Sequence, residues 1–258
     1  HIYYTYYIRL ESFSCMNCFI IWAEKKNFPG WIWSITSISI ISALLLLQPD
    51  LGMTILFIFT WGFQLFITGI PLIIIILLII SFPIFMIISY HNFDHVKIRI
   101  DSFIEGTTYQ VSKSLQSFEA GGLLGKGPGE GLYKKSLPDA HSDFVFAVAA
   151  EEYGVLICSF VIIVYASIIL RSLFYTIRND NLFLILAVGG LAFQFGFQSL
   201  IHMASNTDLI PTKGMTLPFL SYGGSSILAS AITAGMLLGL TRTNNSLVPI
   251  TRQFHEKR

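Results

Sequence analysis

Acidic side chains crowd together where a polar stretch of the sequence runs into a long apolar one. Asp139, His141 and Asp143 stand close together, and Glu151 and Glu152 follow them. In a helix the two glutamates would lie about 12–14 Å beyond Asp143. Charged groups inside a membrane-spanning helix are costly and usually face a cavity or a partner. The two glutamates are therefore the strongest physical indication of a functional site, whereas Asp143 alone could be an ordinary helix N-cap.

A glycine-rich segment, residues 121–131, lies just before these acids and reads Gly-Gly-Leu-Leu-Gly-Lys-Gly-Pro-Gly-Glu-Gly. A nucleotide-binding P-loop requires Ser or Thr after its Gly-Lys pair, but Gly127 stands there. The segment is then either a flexible backbone that approaches an anionic ligand, with Lys126 as counter-charge, or a surface loop that needs positive φ angles. The composition favours the surface loop.

Polar residues also recur inside one apolar segment. The residues Gln194, Gln198, His202 and Asn206 are spaced by four, so they share one face of a helix. This polar stripe predicts either a wet groove or hydrogen bonds that join helices, and the sequence leaves both interpretations open.

Small residues and cysteines carry weaker signals. Ala231, Gly235 and Gly239 are also four apart, which predicts close packing of the last helix. Cys15 and Cys18 have the spacing of a metal or redox pair, but the sequence has no second cysteine pair to complete a metal site. We therefore expect the cysteines to be packing residues and expect no protein-bound metal site.

The composition indicates what must position these groups. Of the 258 residues, 53% are hydrophobic and 12% are charged, about half of the ~25% charged share of soluble domains. A net charge of +1 gives no basic face for nucleic acid, and 22 Phe exclude a disordered chain. Three cysteines cannot form a disulfide scaffold. The chain is predicted to be an all-α, polytopic membrane bundle.

Six segments are apolar and long enough to cross a bilayer, which takes roughly 20 residues. They are 31–47, 51–68, 71–90, 144–170, 182–203 and 225–240, and 13–23 is a weak seventh. Two polar stretches, 91–142 and 204–224, fall on one side of the membrane if the spans alternate. The short loops and the tail, 242–258, carry the larger share of the Lys and Arg that count for topology. This bias predicts that they are cytoplasmic and that both polar stretches lie outside.

Several short phrases, in this order and spacing, resemble the SEDS family (shape, elongation, division and sporulation). They include Gln-Pro-Asp-Leu-Gly at 48–52, His-Ser-Asp-Phe at 141–144, Ala-Glu-Glu-Tyr-Gly at 150–154 and Pro-Thr-Lys-Gly-Met-Thr-Leu-Pro at 211–218. The last phrase and Gly-Lys-Gly-Pro-Gly-Glu-Gly at 125–131 look more like the cell-division member than the elongation member. The resemblance divides the chain into a divergent start, 1–27, with at most a partial span, and a membrane domain, 28–258.

The resemblance implies a ten-span inner-membrane glycosyltransferase, with six or seven of the spans in this chain, that polymerises lipid II into peptidoglycan on the periplasmic side. Its essential acid corresponds to Asp143, which we expect to act as a general base. Expected substrate contacts are Lys126 and Lys213 at the phosphates, together with Asp50, His141, Glu151 and Ser225. The implied partners are lipid II, membrane lipid, a class B penicillin-binding transpeptidase and other division proteins. A divalent cation, Mg²⁺ or Mn²⁺, is a candidate cofactor, and no nucleotide is needed.

The chain also departs from the family pattern. The family usually has Asn at position 202 and Gly at positions 204 and 208, where this chain has His202, Ala204 and Asp208. About three early spans that help to form the lipid groove are not found in the sequence. Two alternatives therefore stay open: a flippase that carries lipid II across the membrane, which the polar stripe would serve equally well, and an inactive, truncated membrane scaffold of the division machinery.

Overall fold

The computed structural model describes residues 30–47, 50–67, 72–104, 109–211 and 214–242. Over these residues the secondary structure is helical, with no β-strand. The α-helices are α1 (Gly30–Leu47), α2 (Leu51–Ile67), α3 (Leu72–Asn92), α4 (Asp94–Ile104), α5 (Tyr109–Gly121), α6 (Val145–Ile177), α7 (Leu182–Asn206) and α8 (Gly224–Thr241), and a 3₁₀ turn spans Tyr133–Lys135. The expected all-α fold is confirmed.

Each of the six predicted spans forms a helix, namely α1, α2, α3, α6, α7 and α8. Among the described residues, three helices are long and apolar enough to cross a membrane: Val145–Ile177, Phe183–Asn206 and Gly224–Thr241. Ile35–Leu47 and Gly52–Ile67 are shorter apolar helices. The weak seventh segment, 13–23, lies outside the described residues.

The central helix of the bundle is α7, against which α2, α5, α6 and α8 all pack. Glycines let its neighbours approach closely, as small residues commonly do in membrane bundles. A Cβ added to Gly190 would lie 2.0 Å from Nε2 of Gln64 on α2. One added to Gly196 would lie 2.5 Å from Cδ1 of Ile169 on α6. Two close helix contacts of the described chain therefore lie along α7.

The close packing predicted for the last helix is wrong within the described chain. A Cβ added at Gly235 or Gly239 would meet no described atom within 4 Å, and Ala231 is exposed. The buried face of α8 carries Ala229 and Leu237 instead. Spacing by four identifies residues on one helix face, but it does not say whether that face has a neighbour.

The first polar stretch, 91–142, contains two helices that the search for long apolar runs did not predict. One of them, α5, buries Val111, Ser114, Ser117 and Gly121 at intervals of three or four residues. Two of these residues are serines, so the pattern of hydrophobic residues in the sequence does not reveal the buried face of α5. The second polar stretch is shorter than predicted, because α7 continues to Asn206 before it ends.

The two polar stretches meet at one end of the bundle. The backbone N–H of Tyr222 donates to the carbonyl of His141 at 2.8 Å, and the hydroxyl of Ser221 donates to the carbonyl of Ser142 at 2.6 Å. Alternating spans predict that both stretches lie on one side of the membrane, and this contact agrees with that prediction. We call this end, formed by residues 109–154 and 198–226, the site end.

Candidate active site

Asp143 lies in the turn that leads into α6. Its backbone N–H donates to the carbonyl of Asp139 at 3.0 Å, and its own carbonyl accepts from the side-chain amide of Asn206 at 2.9 Å. The N-cap position of α6 belongs to Phe144, which forms no side-chain cap hydrogen bond. The explanation of Asp143 as an ordinary N-cap therefore does not hold, and the backbone on both sides of its half-buried carboxylate is fixed.

The Asp143 carboxylate approaches the backbone of the second polar stretch. A Cβ added to Gly214 would lie 3.3 Å from Oδ2 of Asp143. Gly214 also has a φ of 58°, in the left-handed region that glycine adopts most readily. Glycine at this position therefore leaves the acid next to bare backbone, with no side chain between them.

Gly214 also lines a cavity of about 180 Å³. Asp50 and Ser225, two of the predicted substrate contacts, line the same cavity from the starts of α2 and α8. Asp50 caps α2 as well, because its Oδ1 accepts from the N–H of Met53 at 3.0 Å. The other lining residues among the described part of the chain are Gln198, Met215, Thr216, Ser226 and Ala229, together with Met53.

Two side chains of the polar stripe hold one wall of this cavity. The amide of Gln198 donates to the carbonyl of Thr216 at 2.7 Å, and Nδ1 of His202 lies 2.6 Å from the carbonyl of Met215. Both side chains are buried, where a hydrogen bond is electrostatically stronger than in water. The stripe therefore bonds α7 to the second polar stretch. At Gln198 the stripe also lines the cavity.

Asn206, the last residue of the stripe, joins three parts of the site end. It is completely buried. Its amide nitrogen donates to the carbonyls of Asp143 and His202, and its amide oxygen accepts from the N–H of Ala147 at 3.3 Å. Its own carbonyl accepts from the hydroxyl of Ser114 at 2.7 Å. Asn206 therefore fixes the turn that carries Asp143 against both α5 and α7.

The glycine-rich segment 121–131 is built into α6 rather than lying free on the surface. At Gly154, φ is 74° and ψ is −176°, so the helix is interrupted. The carbonyls of Glu151 and Glu152 accept from the N–H groups of Lys126 and Gly127, each at 3.0 Å. In an uninterrupted helix these carbonyls would accept from residues four positions later.

The N–H groups on the far side of the interruption bond to the same segment. Val155 donates to the carbonyl of Gly122 at 3.0 Å, and Leu156 donates to the carbonyl of Leu123 at 3.4 Å. Four hydrogen bonds to the segment thus stand in place of two bonds of the helix. Polar backbone groups freed at a kink in a membrane helix must find such substitutes.

Glycine is required where the two backbones touch. Added Cβ atoms would clash with backbone carbonyl oxygens in three places: at 1.9 Å between Gly121 and Ala150, at 2.2 Å between Gly125 and Glu152, and at 2.3 Å between Gly154 and Leu123. Positive φ occurs at Gly122, Gly125, Gly127 and Gly129, as the surface-loop interpretation predicted. The glycines therefore serve backbone contact with α6.

Glu151 is completely buried beneath this segment. Its Oε1 accepts from the N–H groups of Leu132 at 2.6 Å and Tyr133 at 2.9 Å, and its Oε2 accepts from that of Lys134 at 3.1 Å. The buried charge faces a partner, as expected, but the partner is the 3₁₀ turn of the same chain. Glu151 is thus a structural anchor, and a substrate contact would have to displace these bonds. The adjacent Glu152 forms an ion pair with Lys134.

The remaining predicted site residues are spread over the site end. Lys126 is exposed, and its Nζ lies 5.6 Å from the centre of the Tyr133 ring. His141 is also exposed, and its carbonyl binds the N–H of Tyr222. Lys213 lies outside the described residues. Gly214 and Thr216, which also line the cavity, belong to the phrase at 211–218, but neither residue type marks a cavity wall in the sequence.

The described residues include no group of three or more His, Cys, Asp or Glu side chains placed to hold a metal ion. Mg²⁺ commonly binds through one or two carboxylates together with waters and substrate phosphates. A divalent cation at this site would therefore depend on oxygens from the substrate.

A family model described as a cell cycle protein, FtsW/RodA/SpoVE, matches residues 17–246. The probable peptidoglycan glycosyltransferase FtsW of Caulobacter vibrioides is 42% identical over 222 residues, which cover 85% of this chain and 57% of that protein. The protein of the same name from Pseudoalteromonas translucida is 34% identical over 228 residues, 83% of this chain and 56% of the relative. The chain thus spans a little over half the length of these curated relatives.

Two solved structures share the fold. A structure described under "Structural coordination of polymerization and crosslinking by a peptidoglycan synthase complex" aligns with a TM-score of 0.66 at 23% identity, over 82% of this chain and 62% of the other. The rod shape determining protein RodA of Thermus thermophilus aligns with a TM-score of 0.56 at 24% identity, over 91% of this chain and 64% of RodA. Together with the apolar helices, these similarities make the chain a multi-pass membrane protein.

Proposed function

The chain belongs to the FtsW/RodA/SpoVE family of cell cycle proteins, and from this premise we propose that it is a membrane glycosyltransferase that polymerises lipid II into peptidoglycan strands during cell division. The observation that carries the proposal is the placement of Asp143. Its carboxylate lies beside Gly214, and Gly214 lines the cavity that also contains Asp50 and Ser225. An acid is thus placed at the edge of a polar cavity at the end of the bundle.

In the proposed reaction Asp143 is the general base. The 4-hydroxyl oxygen of one lipid II attacks the anomeric carbon of another, and Asp143 takes the hydroxyl proton as the new C–O bond forms. The bond from the anomeric carbon to the diphosphate oxygen breaks, and its electron pair leaves with undecaprenyl pyrophosphate. A positioned general base typically contributes 10²–10⁴-fold to the rate. The cavity next to Gly214 would receive the reacting end of one sugar.

The leaving diphosphate needs neutralising charge, which we assign to lysines of the two polar stretches. Lys126 lies in the glycine-rich segment, whose backbone is held rigidly against α6. Lys213 precedes Gly214 in the sequence. A Mg²⁺ or Mn²⁺ ion bound through the diphosphate oxygens is a further part of the proposal.

We place this protein in the bacterial inner membrane, with the site end on the periplasmic side. The Lys and Arg bias of the short loops supports this orientation. A class B penicillin-binding transpeptidase is the proposed partner, since a structure related to a peptidoglycan synthase complex shares the fold. Other division proteins would join the same assembly.

The test is polymerisation of lipid II by the protein in lipid vesicles, with the glycan product separated by size. Asp143→Asn keeps the shape of the side chain and removes the base, so we expect polymer formation to fall at least 100-fold. The matched control is Asp139→Asn, at an exposed position whose φ of 53° Asn tolerates well. It should retain the activity of the unsubstituted protein. Full activity of Asp143→Asn would remove that residue from the proposed role.

The two alternatives give different results in the same vesicles. A flippase would move labelled lipid II between leaflets without forming polymer, and an inactive scaffold would do neither. The polar stripe and Glu151 were the residues that would serve a transport path. Three residues of the stripe, Gln198, His202 and Asn206, instead form hydrogen bonds to backbone carbonyls of the protein. This observation favours the polymerase.

A further inference from the structure

The glycine-rich segment carries large apolar side chains that pack against nothing in the described chain. Leu123 is 72% exposed and Leu124 is 79% exposed. Both lie in a polar stretch, where an exposed pair of leucines would be unfavourable in water. The pair therefore needs an apolar environment that comes from outside the described residues.

The backbone of the segment cannot easily turn these leucines inward. It is fixed to α6 by the four hydrogen bonds around Gly154. The flanking residues Gly122 and Gly125 have φ angles of 54° and 78°, and a Cβ at Gly125 would clash with α6. The fixed backbone of the segment therefore holds both leucine side chains in exposed positions.

The position of the leucines along α6 points to lipid. The carbonyl of Leu123 accepts from the N–H of Leu156, so the two residues lie at the same level. Leu156 is itself exposed and begins the apolar outer surface of α6. From Leu156 to Arg171 the helix rises about 22 Å, and to Arg178 about 33 Å. The hydrocarbon core of a bilayer is about 30 Å thick, so Leu156 lies at its edge if these arginines mark the opposite boundary. The part of α6 before Leu156, which includes Glu151, then extends beyond the hydrocarbon core, although the span was predicted to begin at residue 144.

Residues close to the leucines are those typical of a membrane interface. Lys126 follows two positions later and is exposed, and Tyr133 lies beside it. Aromatic rings and lysine side chains commonly occupy the headgroup region, where an apolar body and a polar tip are both satisfied.

We propose that Leu123 and Leu124 form an anchor that inserts into the acyl-chain edge of the leaflet at the site end. The occupant of this apolar surface is membrane lipid, because the leucines lie at the level of Leu156, near the start of the exposed apolar surface of α6. The anchor ties the glycine-rich segment to the membrane as well as to α6. It does not depend on the reaction proposed above.

The test uses nitroxide labels on the full chain in lipid vesicles, with the native cysteines replaced by Ala. Leu124→Cys carries the test label, Leu156→Cys is the lipid reference, and Glu130→Cys is the water reference in the same segment. Glu130 is exposed and charged. Collision rates with oxygen, which concentrates in lipid, and with a water-soluble nickel complex are measured by power saturation.

We expect the label at Leu124 to collide several-fold more with oxygen than with nickel, as the label at Leu156 does, and the label at Glu130 to show the reverse. Nickel access at Leu124 equal to that at Glu130 would overturn the proposal. Protection from both reagents would also overturn it, since that result means packing against protein. Leu123→Cys repeats the measurement, and a thermal melt checks that each labelled chain is folded.

Discussion

The two halves of α6, on either side of Gly154, have the same helical backbone and opposite surroundings. Before Gly154, the side chains of Phe146, Ala147 and Glu151 are buried by α5, α7 and the glycine-rich segment. After it, the outer surface of the helix is exposed and apolar. The exposed residues there include Val155, Leu156, Phe160, Ile162, Ile163 and Leu170.

Polar groups are satisfied differently in the two halves. In the first half a buried carboxylate and freed backbone carbonyls bond to distant parts of the chain. In the second half the exposed hydroxyl of Ser167 bonds to a carbonyl three residues earlier, whereas the hydroxyls of Tyr165 and Tyr175 donate to the carbonyls of Pro218 and Leu240 in other parts of the chain. The lipid-facing surface of a helix must satisfy its polar groups within that helix, whereas a protein-covered surface can bond to other parts of the chain. The candidate reactive groups therefore lie next to the half of α6 that is covered by other parts of the chain.

The largest expected effect comes from removing the boundary between the halves. Gly154→Ala puts a Cβ 2.3 Å from the carbonyl oxygen of Leu123 and forces Ala into a conformation that is essentially confined to glycine. We expect a loss of about 4 kcal/mol of stability, from strain and overlap together. The measurement is the thermal melting temperature in detergent. Gly235→Ala is the control, because its Cβ meets no described atom within 4 Å; equal melting of both variants would contradict the role of the kink.

A smaller loss should follow when the buried anchor of the first half is weakened. Glu151→Gln removes the charge that accepts three backbone N–H bonds and places an NH₂ group where one oxygen accepts. Hydrogen bonds to charged groups are worth about 1.5–3 kcal/mol each, so we expect a loss of about 3 kcal/mol. Proteolysis of the segment 121–135 should also become faster. Glu130→Gln, at an exposed position of the same segment, should change neither quantity.

The smallest of the three effects concerns the residue that positions the turn with Asp143. Asn206→Ala leaves the buried N–H of Ala147 without its amide partner and frees the carbonyl of Asp143. We expect about 2 kcal/mol of destabilisation. Because the acid is displaced, polymerisation by the folded variant should fall more than substrate binding does. Asn92→Ala is the matched control, since Asn92 is exposed and its amide donates to the carbonyl of Ile88 four residues earlier in the same helix. Similar activities of the two variants would show that Asn206 has no positioning role.

Much of the fold could be predicted because its signals are local. An apolar run of about 20 residues needs no information from the rest of the chain to become a helix in lipid. All six predicted spans are accordingly helices. The helix α5 was missed because its buried face carries Ser114 and Ser117, whose burial depends on contact with other helices. The predicted close contact at Gly235 and Gly239 is not found within the described chain, since regular spacing does not by itself supply a neighbour.

The site could be predicted only in part. Asp50 and Ser225 were identified from motifs, and they line one cavity although they are far apart in the sequence. Glu151 was singled out as a buried charge, but its partners are backbone groups of a turn with no side-chain signature. Close contacts between backbones can be inferred from a sequence only through the glycines that permit them. The glycines of segment 121–131 indicated such contacts, but they did not identify the helix that the segment contacts.

The sequence by itself determined that this chain is a membrane protein, which apolar segments form its long helices, and which acid precedes α6. Hydrophobicity and helical hydrogen bonding depend on short stretches of sequence, so each of these properties can be predicted from a local segment. The tertiary structure alone decided that Asp143 lies beside Gly214, that Asn206 holds its turn, and that the glycine-rich segment completes a broken helix. These contacts join residues that are far apart in the chain, and they are made largely by backbone atoms. Because nearly all residues carry the same backbone donor and acceptor, the residue type does not identify the partner.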